Sequence, residues 1–373
     1  MKIAVLTSGG VDSSVALKLL QEQGHEVKAF YLKIWLEDEL QYLGDCPWEE
    51  DLFYLEKVCD DLKVPLEIVP MQKEYFDKIV NYTIAEVKQG RTPNPDVMCN
   101  NHIKFGAFLE KLEADDQDFD KIASGHYAQN FAKHGIYYLK KSPDPVKDQT
   151  YFLCNLWQKQ LAKILFPIGH LTKAELRELA RKFNLPNQDR KDSQGLCFLG
   201  KFKFKEFLKA HLGEKPGDFI EFETGKKISK HKGYWFYTIG QRDGLGLSGG
   251  PWYVVKKDIE KNIIFISGSY HSEDKKRNEF YVSDLNWFEG QSPEKKNLEV
   301  KLRHGPKTYR CSIGSVILEG EGSERAQLFT KTDSIQVRID GNDQGIAAGQ
   351  FAVFYDGEVC LGGGIVKNIG DKF

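Results

Sequence analysis

The fold is decided near the N-terminus, by the run KIAVLTSGGVDSSVALKLL at residues 2–20. Its first part is short and apolar and predicts a buried strand, and apolar residues then recur at helical spacing from Val15 to Leu20. The polar turn between them contains two glycines, which let the backbone come close to a ligand. A helix that starts there points unpaired N–H groups and its positive dipole end at the same place. The run therefore predicts a strand, an anion-binding loop and a helix.

The loop SGGVDSS at residues 8–14 suits a phosphate-type anion. Ser8, Ser13 and Ser14 add hydroxyl donors to the backbone N–H groups. Asp12 would repel phosphate unless a cation lay between them, so it is a candidate Mg²⁺ ligand. A Walker loop needs a lysine directly after its last glycine, and none follows these glycines. A plain capped turn is the alternative interpretation, and the complete S-G-G-x-D-S pattern favours anion binding over it.

The same alternation continues through the first 200 residues. Further strands are predicted at 27–32, 66–69 and 122–124, and helices at 48–62 and 73–87. Short apolar strands alternating with helices indicate a parallel α/β sheet. The pattern then loosens, and from about residue 275 period-two alternation predicts a small antiparallel barrel or sandwich. We therefore expect three domains: an α/β catalytic domain at 1–200, a small basic middle domain at 201–274, and a C-terminal antiparallel β-barrel at 275–373.

Length and composition agree with this division. A chain of 373 residues exceeds what one hydrophobic core usually organises. With 41% hydrophobic and 28% charged residues it has the composition of an ordinary globular protein. The N-terminus lacks the pattern of a signal peptide, and no apolar run approaches the roughly 20 residues of a membrane helix. We therefore expect a cytoplasmic protein without a membrane partner.

The charge is distributed unevenly along the chain. The net charge of −2 argues against a general nucleic-acid binder. Residues 201–272, however, hold 13 Lys or Arg against 8 Asp or Glu. A basic middle segment in an acidic chain suits a polyanion bound at one place, and an ordinary solvated surface explains the charge equally well.

The seven cysteines form neither a disulfide framework nor a metal pair. They lie at positions 46, 59, 99, 154, 197, 311 and 360, and no C-x-x-C pair occurs among them. Two have unusual surroundings. Cys99 lies in GRTPNPDVMCNNHIKF at 90–105, and Cys197 lies two residues after a glycine and directly before an aromatic residue in KDSQGLCFLG at 191–200. The other five lie in apolar or strand-like runs and are interpreted as structural.

The surroundings of Cys99 are polar and held by two prolines. Arg91, His102 and Lys104 are near enough in sequence to lower the pKa of its thiol. Asn100 or Asn101 is predicted to cap a following helix, which would place Cys99 near the positive end of that helix. This setting favours a nucleophile over a buried structural cysteine, whereas Cys197 fits both interpretations on spacing alone.

These stretches together resemble the tRNA-specific 2-thiouridylase family (MnmA type), within the N-type ATP pyrophosphatases, along nearly the whole chain. The matching stretches are SGGVDSS, GRTPNPDVMCNNHIKF, SGHY at 124–127, KDQTYFL at 147–153, LFPIG at 165–169, KDSQGLCFLG, YTIGQRDGLGL at 237–247, PWYVV at 251–255 and GQFAVFYDGEVCLGGG at 349–364. So many ordered matches are far more specific than the nucleotide loop alone. The resemblance implies an ATP pyrophosphatase domain followed by two domains that contact tRNA.

The resemblance also implies roles for individual residues. The residues implied for ATP are Leu6, Thr7, Ser8, Gly9, Gly10, Val11, Asp12, Ser13, Leu32 and Gly125. Asn94, Pro95 and Asp96 would meet the target base, with Asp96 as a general acid or base. The residues implied for other tRNA contacts are His126, Lys147, Asp148, Gln149, Arg303, His304 and Gln350.

The implied reaction is ATP-dependent 2-thiolation of the wobble uridine in tRNA. The C2 oxygen is adenylated because it is a poor leaving group, with Mg²⁺ and the loop stabilising the departing pyrophosphate. A partner protein would deliver sulfur to Cys197 as a persulfide, and Cys99 would be the nucleophile that ends the turnover as a disulfide with Cys197. Sulfur attacks C2 either as the Cys197 persulfide or after reductive release by Cys99, and AMP leaves.

Two other functions compete with this one. A ligase of the same ATP pyrophosphatase class would act on a small carboxylate and would have no use for the Asp96–Cys99 loop or a barrel. A non-catalytic RNA-binding protein of this fold would bind tRNA without consuming ATP. The intact loop and both cysteines argue against the second alternative.

Overall fold

The computed structural model describes residues 1–34, 48–115, 117–191, 204–318 and 333–368. Among these residues, the first part of the chain supplies seven strands: β1 (Lys2–Leu6), β2 (Glu26–Lys33), β3 (Leu66–Pro70), β4 (Lys121–Ser124), β5 (Ala128–Lys133), β6 (Ile136–Lys141) and β7 (Ile164–Leu165). Five of them form a parallel sheet in the order β3-β2-β1-β4-β7. Ile3, Ala4 and Val5 are fully buried, as expected for a central strand covered on both faces. The predicted parallel α/β fold is confirmed.

In the described residues, seven helices belong to this part of the chain. Five are regular: α1 (Val11–Glu22), α2 (Trp48–Leu62), α5 (Thr150–Leu153), α6 (Gln158–Lys163) and α7 (Lys173–Lys182). Helix α3 continues from Gln72–Tyr75 through a π-helical stretch at Phe76–Val80 to Asn81–Lys88. Helix α4 likewise runs through Pro95–Cys99, a π-helical stretch at Asn100–Ala107 and Phe108–Ala114.

The strand order places a ligand-binding crevice beside β1. The chain moves outward from β1 to β2 and β3, and then returns to add β4 on the other side of β1. Leu6 at the end of β1 pairs with Phe30 of β2 and Ser124 of β4. Ligands of open α/β sheets bind at such a reversal, outside the carboxyl ends of the strands. The loop after β1 and the residues after Ser124 both lie at this edge.

The middle of the chain forms a small sheet beside one helix. Its elements are α8 (Phe204–Leu212), β8 (Gly217–Glu221), β9 (Lys227–His231), β10 (Tyr253–Asp258) and β11 (Ile263–Ser267). The strand order is β10-β11-β8-β9, around a core that includes Phe219, Val254 and Ile264. This unit contacts the end of α3, where the Tyr234 hydroxyl donates to the carbonyl of Lys88 at 2.5 Å.

The last strands close into an antiparallel barrel. They are β12 (Glu279–Trp287), β13 (Asn297–Lys301), β14 (Tyr309–Leu318), β15 (Asp333–Ile339), β16 (Phe351–Asp356) and β17 (Val359–Asn368). Their order is β12-β15-β14-β13-β16-β17, and pairing of β12 with β17 closes the ring. The predicted C-terminal barrel is confirmed.

One feature of the barrel was absent from the sequence prediction. The hairpin β5–β6 comes from the first 200 residues, yet β6 pairs with β17 through Leu139 and Cys360 and extends the barrel sheet. The barrel is therefore joined to the α/β unit by main-chain hydrogen bonds as well as by side chains. The predicted domain limits at 200 and 274 stay a prediction. No helix of the described residues is long and apolar enough to cross a membrane.

Candidate active site

The glycine-rich loop at the end of β1 has a shape that requires glycine. Gly9 has φ of +71°, and a Cβ placed on it would lie 2.1 Å from the carbonyl oxygen of Asp51. Gly10 is the N-cap of α1 and makes no side-chain cap hydrogen bond. The first turn of α1 thus has no side-chain cap, and such a turn offers main-chain N–H groups to an anion.

The serines of the loop hydrogen-bond within the loop itself. The hydroxyls of Ser13 and Ser14 both donate to the carbonyl of Gly10, at 3.0 Å each. The N–H of Ser8 donates to the Ser13 hydroxyl at 3.3 Å. These bonds fold the loop back over the start of α1. The serines therefore shape the loop, and the main chain offers the remaining donors.

The structure brings the predicted nucleotide residues together at one edge of the sheet. Residues 6–13 form the end of β1, the loop and the start of α1. A Cβ on Gly125 would lie 2.7 Å from the N atom of Ser13, so the chain after β4 passes directly against α1. Leu32 lies near the same end of β2, two residues beyond the partner of Leu6.

The acidic residue of the loop has two partners that the sequence analysis did not identify. The Lys173 ammonium lies 2.6 Å from Oδ1 of Asp12, and the Tyr127 hydroxyl donates to the same oxygen at 3.1 Å. Lys173 is the first residue of α7. Within the described residues, no group of three or more His, Cys, Asp or Glu is placed to hold a metal ion. Asp12 is therefore not part of such a group in the described residues, and it has a cationic partner.

A second pair of residues fixes the loop from the turn after α7. The Asn187 amide donates to the carbonyl of Gly9 at 2.8 Å and to the Ser14 hydroxyl at 2.9 Å. The Arg190 guanidinium donates to the same carbonyl at 3.1 Å and pairs with Asp51 at 2.5 Å. Sequence reasoning missed both residues, because a polar turn carries no local sign of a partner more than 170 positions away.

Cys99 lies inside a helix and not before one. The N-cap of α4 is Asn94, whose side-chain oxygen accepts from the N–H of Val97 at 3.2 Å, and Pro95 follows it. The predicted cap at Asn100 or Asn101 is wrong, since Asn100 donates to the carbonyl of Phe152 instead. Cys99 is only 1% exposed and belongs to the main core cluster.

Two of the three predicted cationic neighbours of Cys99 are engaged elsewhere or uncharged. Arg91 forms a two-pronged ion pair with Glu86. Burial lowers the pKa of His102 below its ordinary value, so its imidazole is neutral at pH 7. The pKa of His126 is lowered well below its ordinary value, mainly by burial and also by the positive charge of Lys104. Of the three predicted neighbours, Lys104 is therefore the one that can act as a cation near Cys99.

The other described cysteines are suited to a structural role. Burial raises the pKa of the Cys59, Cys311 and Cys360 thiols to about 12. The pKa of Cys154 is raised well above its ordinary value for the same reason. Cys197, the predicted persulfide carrier, lies outside the described residues.

The residues at 147–149 lie where the α/β unit meets the barrel. Asp148 is 2% exposed, and its carboxylate pairs with Lys301 of β13 at 2.8 Å. The Gln149 side chain accepts from the N–H of Tyr127 at 2.9 Å. Lys147 is partly exposed. A contact between RNA and position 148 would therefore use the backbone, since the side chain is buried in an ion pair.

The predicted barrel residues lie against the same segment. The exposed Arg303 side chain pairs with Asp343 at 2.5 Å, and the His304 ring stacks on Phe152 with centroids 4.7 Å apart. The Tyr151 hydroxyl donates to the carbonyl of Phe351, next to Gln350, at 3.1 Å. Arg303, His304 and Gln350 thus lie near the chain that follows residue 147.

The remaining predicted base contacts precede Cys99. Asp96 is a partly exposed residue in the first turn of α4. The N–H of Thr92 donates to the carbonyl of Ala348 at 2.8 Å, so the proline-held loop contacts the turn before β16. Asn94 and Asp96 therefore follow this contact with the barrel by two and four residues.

Fold and site together define a class: an α/β domain with a phosphate-type loop, joined to a small sheet domain and a closed β-barrel. Comparison with known families matches each part. The description "tRNA methyl transferase HUP domain" matches residues 1–201, "tRNA methyl transferase PRC-barrel domain" matches 205–268, and "Aminomethyltransferase beta-barrel domain" matches 277–366.

Full-length relatives identify the family. The chain is 44% identical to the tRNA-specific 2-thiouridylase MnmA of Parabacteroides distasonis, over 98% of this chain and 99% of that one. It is 46% identical to a tRNA-specific 2-thiouridylase MnmA of Bacteroides fragilis over the same shares. A solved structure of NMN synthetase from Francisella tularensis aligns over 51% of this chain and 66% of its own, at 15% identity and a TM-score of 0.30. The chain belongs to the tRNA-specific 2-thiouridylase family, as its motifs predicted.

Proposed function

We propose that this protein uses ATP to thiolate C2 of the wobble uridine in tRNA, releasing AMP and pyrophosphate. The observation that carries the proposal is the placement of two consecutive residues. Gly125 packs against the start of α1, and His126 packs its ring against Phe105 of α4 at 6.0 Å between centroids. Two consecutive residues therefore contact both the nucleotide loop and the helix that contains Cys99.

This proximity suits a reaction in which a base is first adenylated and then attacked by sulfur. The loop and the first turn of α1 would bind the phosphates through main-chain N–H groups. Asp96, partly exposed in the first turn of α4, would serve as general acid or base at the target uridine. An anticodon base is unpaired in its loop, so it can enter such a pocket without opening a duplex.

The proposal includes a Mg²⁺ ion bound by Asp12. Mg²⁺ is commonly held by one or two carboxylates together with substrate phosphates, so a single carboxylate at the loop fits the ion. Mg²⁺ would neutralise phosphate charge there. Asp12 would contribute the protein ligand, and Lys173 would stay beside it as a second positive charge.

The sulfur chemistry would rest on Cys99 and Cys197. Cys99 is buried in the second turn of α4, which keeps its thiol from bulk solvent until a base and a persulfide reach it. Sulfur would arrive on Cys197 from a persulfide-carrying partner protein. Attack by the persulfide and attack by sulfide released through Cys99 are both compatible with this arrangement. The reaction would take place in the cytoplasm.

The test is to incubate the protein with unmodified tRNA, ATP, Mg²⁺ and a persulfide sulfur donor, and to analyse the nucleosides by mass spectrometry. We expect 2-thiouridine at the wobble position, with one AMP per modified base and no product without ATP. A ligase acting on a small carboxylate would form AMP without tRNA. A non-catalytic RNA-binding protein would bind tRNA and form no AMP. Either of these results would overturn the proposal.

A further inference from the structure

We propose that Lys173 is the phosphate-binding lysine of the nucleotide loop and recognises the β- and γ-phosphates of ATP. The loop after β1 contains no lysine of its own. Lys173 nevertheless reaches it from the start of α7, with Nζ at 2.6 Å from Oδ1 of Asp12, the second residue of α1. Its ammonium therefore lies at the same helix start that offers main-chain N–H groups to an anion.

The position of Lys173 is fixed on several sides. Its main-chain N–H donates to Asp144 at 3.0 Å, and Thr172 before it is the N-cap of α7 in a capping box with Glu175. Its ammonium also lies 5.9 Å from the ring of Tyr127, whose hydroxyl bonds to the same Asp12 oxygen. The capped start of α7 and the ring of Tyr127 thus hold the lysine beside the loop.

This placement is unfavourable for α7 itself. The first turn of a helix carries a partial positive charge, so a cation there is disfavoured and an acidic residue is preferred. A lysine at this position therefore needs a partner outside its own helix. Asp12 is that partner, and a phosphate bound beside Asp12 would be another.

The charge balance of the loop points in the same direction. ATP brings about four negative charges to a loop whose only ionisable side chain is Asp12. The positive charge of Lys173 balances the negative charge of Asp12. The Lys173 side chain is 17% exposed and the Asp12 side chain 32%, so the ammonium is partly removed from water. An ammonium in such a site is a strong point charge for phosphate. AMP carries only the α-phosphate and would gain much less from it.

This inference rests on the proposed use of ATP, and equilibrium binding tests it separately from catalysis. The affinities of ATP, pyrophosphate and AMP would be measured by calorimetry for the wild type, Lys173→Met, Lys173→Arg and Lys182→Met. Lys182 is the exposed last residue of the same helix and serves as the matched control. We expect Lys173→Met to lose at least tenfold in affinity for ATP and pyrophosphate and less than twofold for AMP. Lys173→Arg should recover most of the loss, and Lys182→Met should match the wild type.

Equal losses for ATP and AMP in Lys173→Met would overturn the inference, because a purely structural ion pair would affect both nucleotides alike. Unchanged affinities for all three ligands would overturn it as well. If Lys173→Met does not fold, Lys173→Arg decides: its ratio of ATP to AMP affinity should stay within threefold of the wild type, and a collapsed ratio contradicts the proposal. If the wild type thiolates tRNA but Lys173→Met loses ATP and AMP affinity equally, the proposed function stands and the role of Lys173 is wrong. If Lys173→Met selectively loses ATP affinity but the wild type forms no 2-thiouridine, the role of Lys173 stands and the proposed function is wrong.

Discussion

The protein contains two aspartate–lysine pairs that are alike in chemistry and opposite in setting. Asp12 and Lys173 lie 2.6 Å apart at the nucleotide loop, with side chains 32% and 17% exposed. Asp148 and Lys301 lie 2.8 Å apart between the α/β unit and the barrel, with side chains 2% and 4% exposed. The first pair is reachable by a ligand, whereas the second is enclosed by protein.

The difference shows how the two parts of the site are assembled. The nucleotide loop and all of its identified partners lie within the first 190 residues. The proposed RNA contacts come from both sides of the interface that Asp148 and Lys301 hold together. Changes at the loop should therefore affect ATP chemistry without unfolding the protein, and changes at the buried pair should weaken the fold and RNA binding together.

The largest effect should come from a change that touches neither pair. Cys99→Ser should abolish 2-thiouridine formation, because a hydroxyl can neither reduce a persulfide nor carry sulfur. ATP affinity should stay at the wild-type value, as measured by calorimetry. Cys311→Ala is the control, since burial raises the pKa of that thiol to about 12 and leaves it inert. Thiolation by Cys99→Ser at the wild-type rate would contradict the role assigned to Cys99.

Asp12→Ala tests the exposed pair. It should reduce AMP formation by about 100-fold or more, the size expected when a group that stabilises transition-state charge is removed. The midpoint of thermal unfolding should move little, because partly exposed ion pairs contribute only about 0–1 kcal/mol. tRNA affinity, measured by filter binding, should persist. Normal turnover would show that Asp12 holds no catalytic metal.

Asp148→Asn and Lys301→Met test the buried pair. Each should lower the free energy of unfolding by about 3–5 kcal/mol, because the remaining charge is left buried without its partner. Denaturant titration measures this loss, and tRNA affinity should fall with it. The control is Lys140→Ala, which breaks the exposed pair with Glu358 and should change stability by less than about 1 kcal/mol. A loss as small as that of the control would mean that the interface does not depend on the pair.

Arg303→Ala and His126→Gln distinguish two kinds of RNA contact. Arg303 is an exposed cation, so its removal should reduce the slope of log affinity against log salt by about 1. His126 has a lowered pKa and is neutral at pH 7, so its replacement should weaken binding without changing that slope. A reduced slope in His126→Gln at pH 7.5 would show that the histidine binds phosphate as a cation.

The smallest effect should be a dependence of stability on pH. The pKa of His126 in the folded protein lies well below the ordinary value of 6.5. At this residue the unfolded chain therefore binds more protons below about pH 6.5, so the contribution of His126 to the free energy of unfolding should be constant well above that pH and fall below it. The slope should reach about 1.4 kcal/mol per pH unit for this group. His126→Gln should have a shallower acid slope in denaturant titrations, and an unchanged slope would contradict the assigned pKa.

Sequence reasoning succeeded where the determinants lie close together along the chain. The strand, loop and helix of residues 2–20 follow from apolar spacing and two glycines, and the structure confirms them. The start of α4 was predicted six or seven residues too late, because Asn94 and Asn100 are both good N-cap residues and only packing chooses between them. The structure seats Asn100 in the core, where it bonds to Phe152.

By itself, the sequence determined the class of fold, the nucleotide loop and the family. Hydrophobic period, glycine placement and short motifs are local properties, and each acts over a few residues. Only the tertiary structure decided which distant residues complete the site. Lys173 meets Asp12 across 161 positions, and Lys301 meets Asp148 across 153. The first contact depends on the strand order of the α/β unit, and the second depends on how the barrel packs against that unit. A pairing between remote charges leaves no periodic pattern in either stretch of sequence.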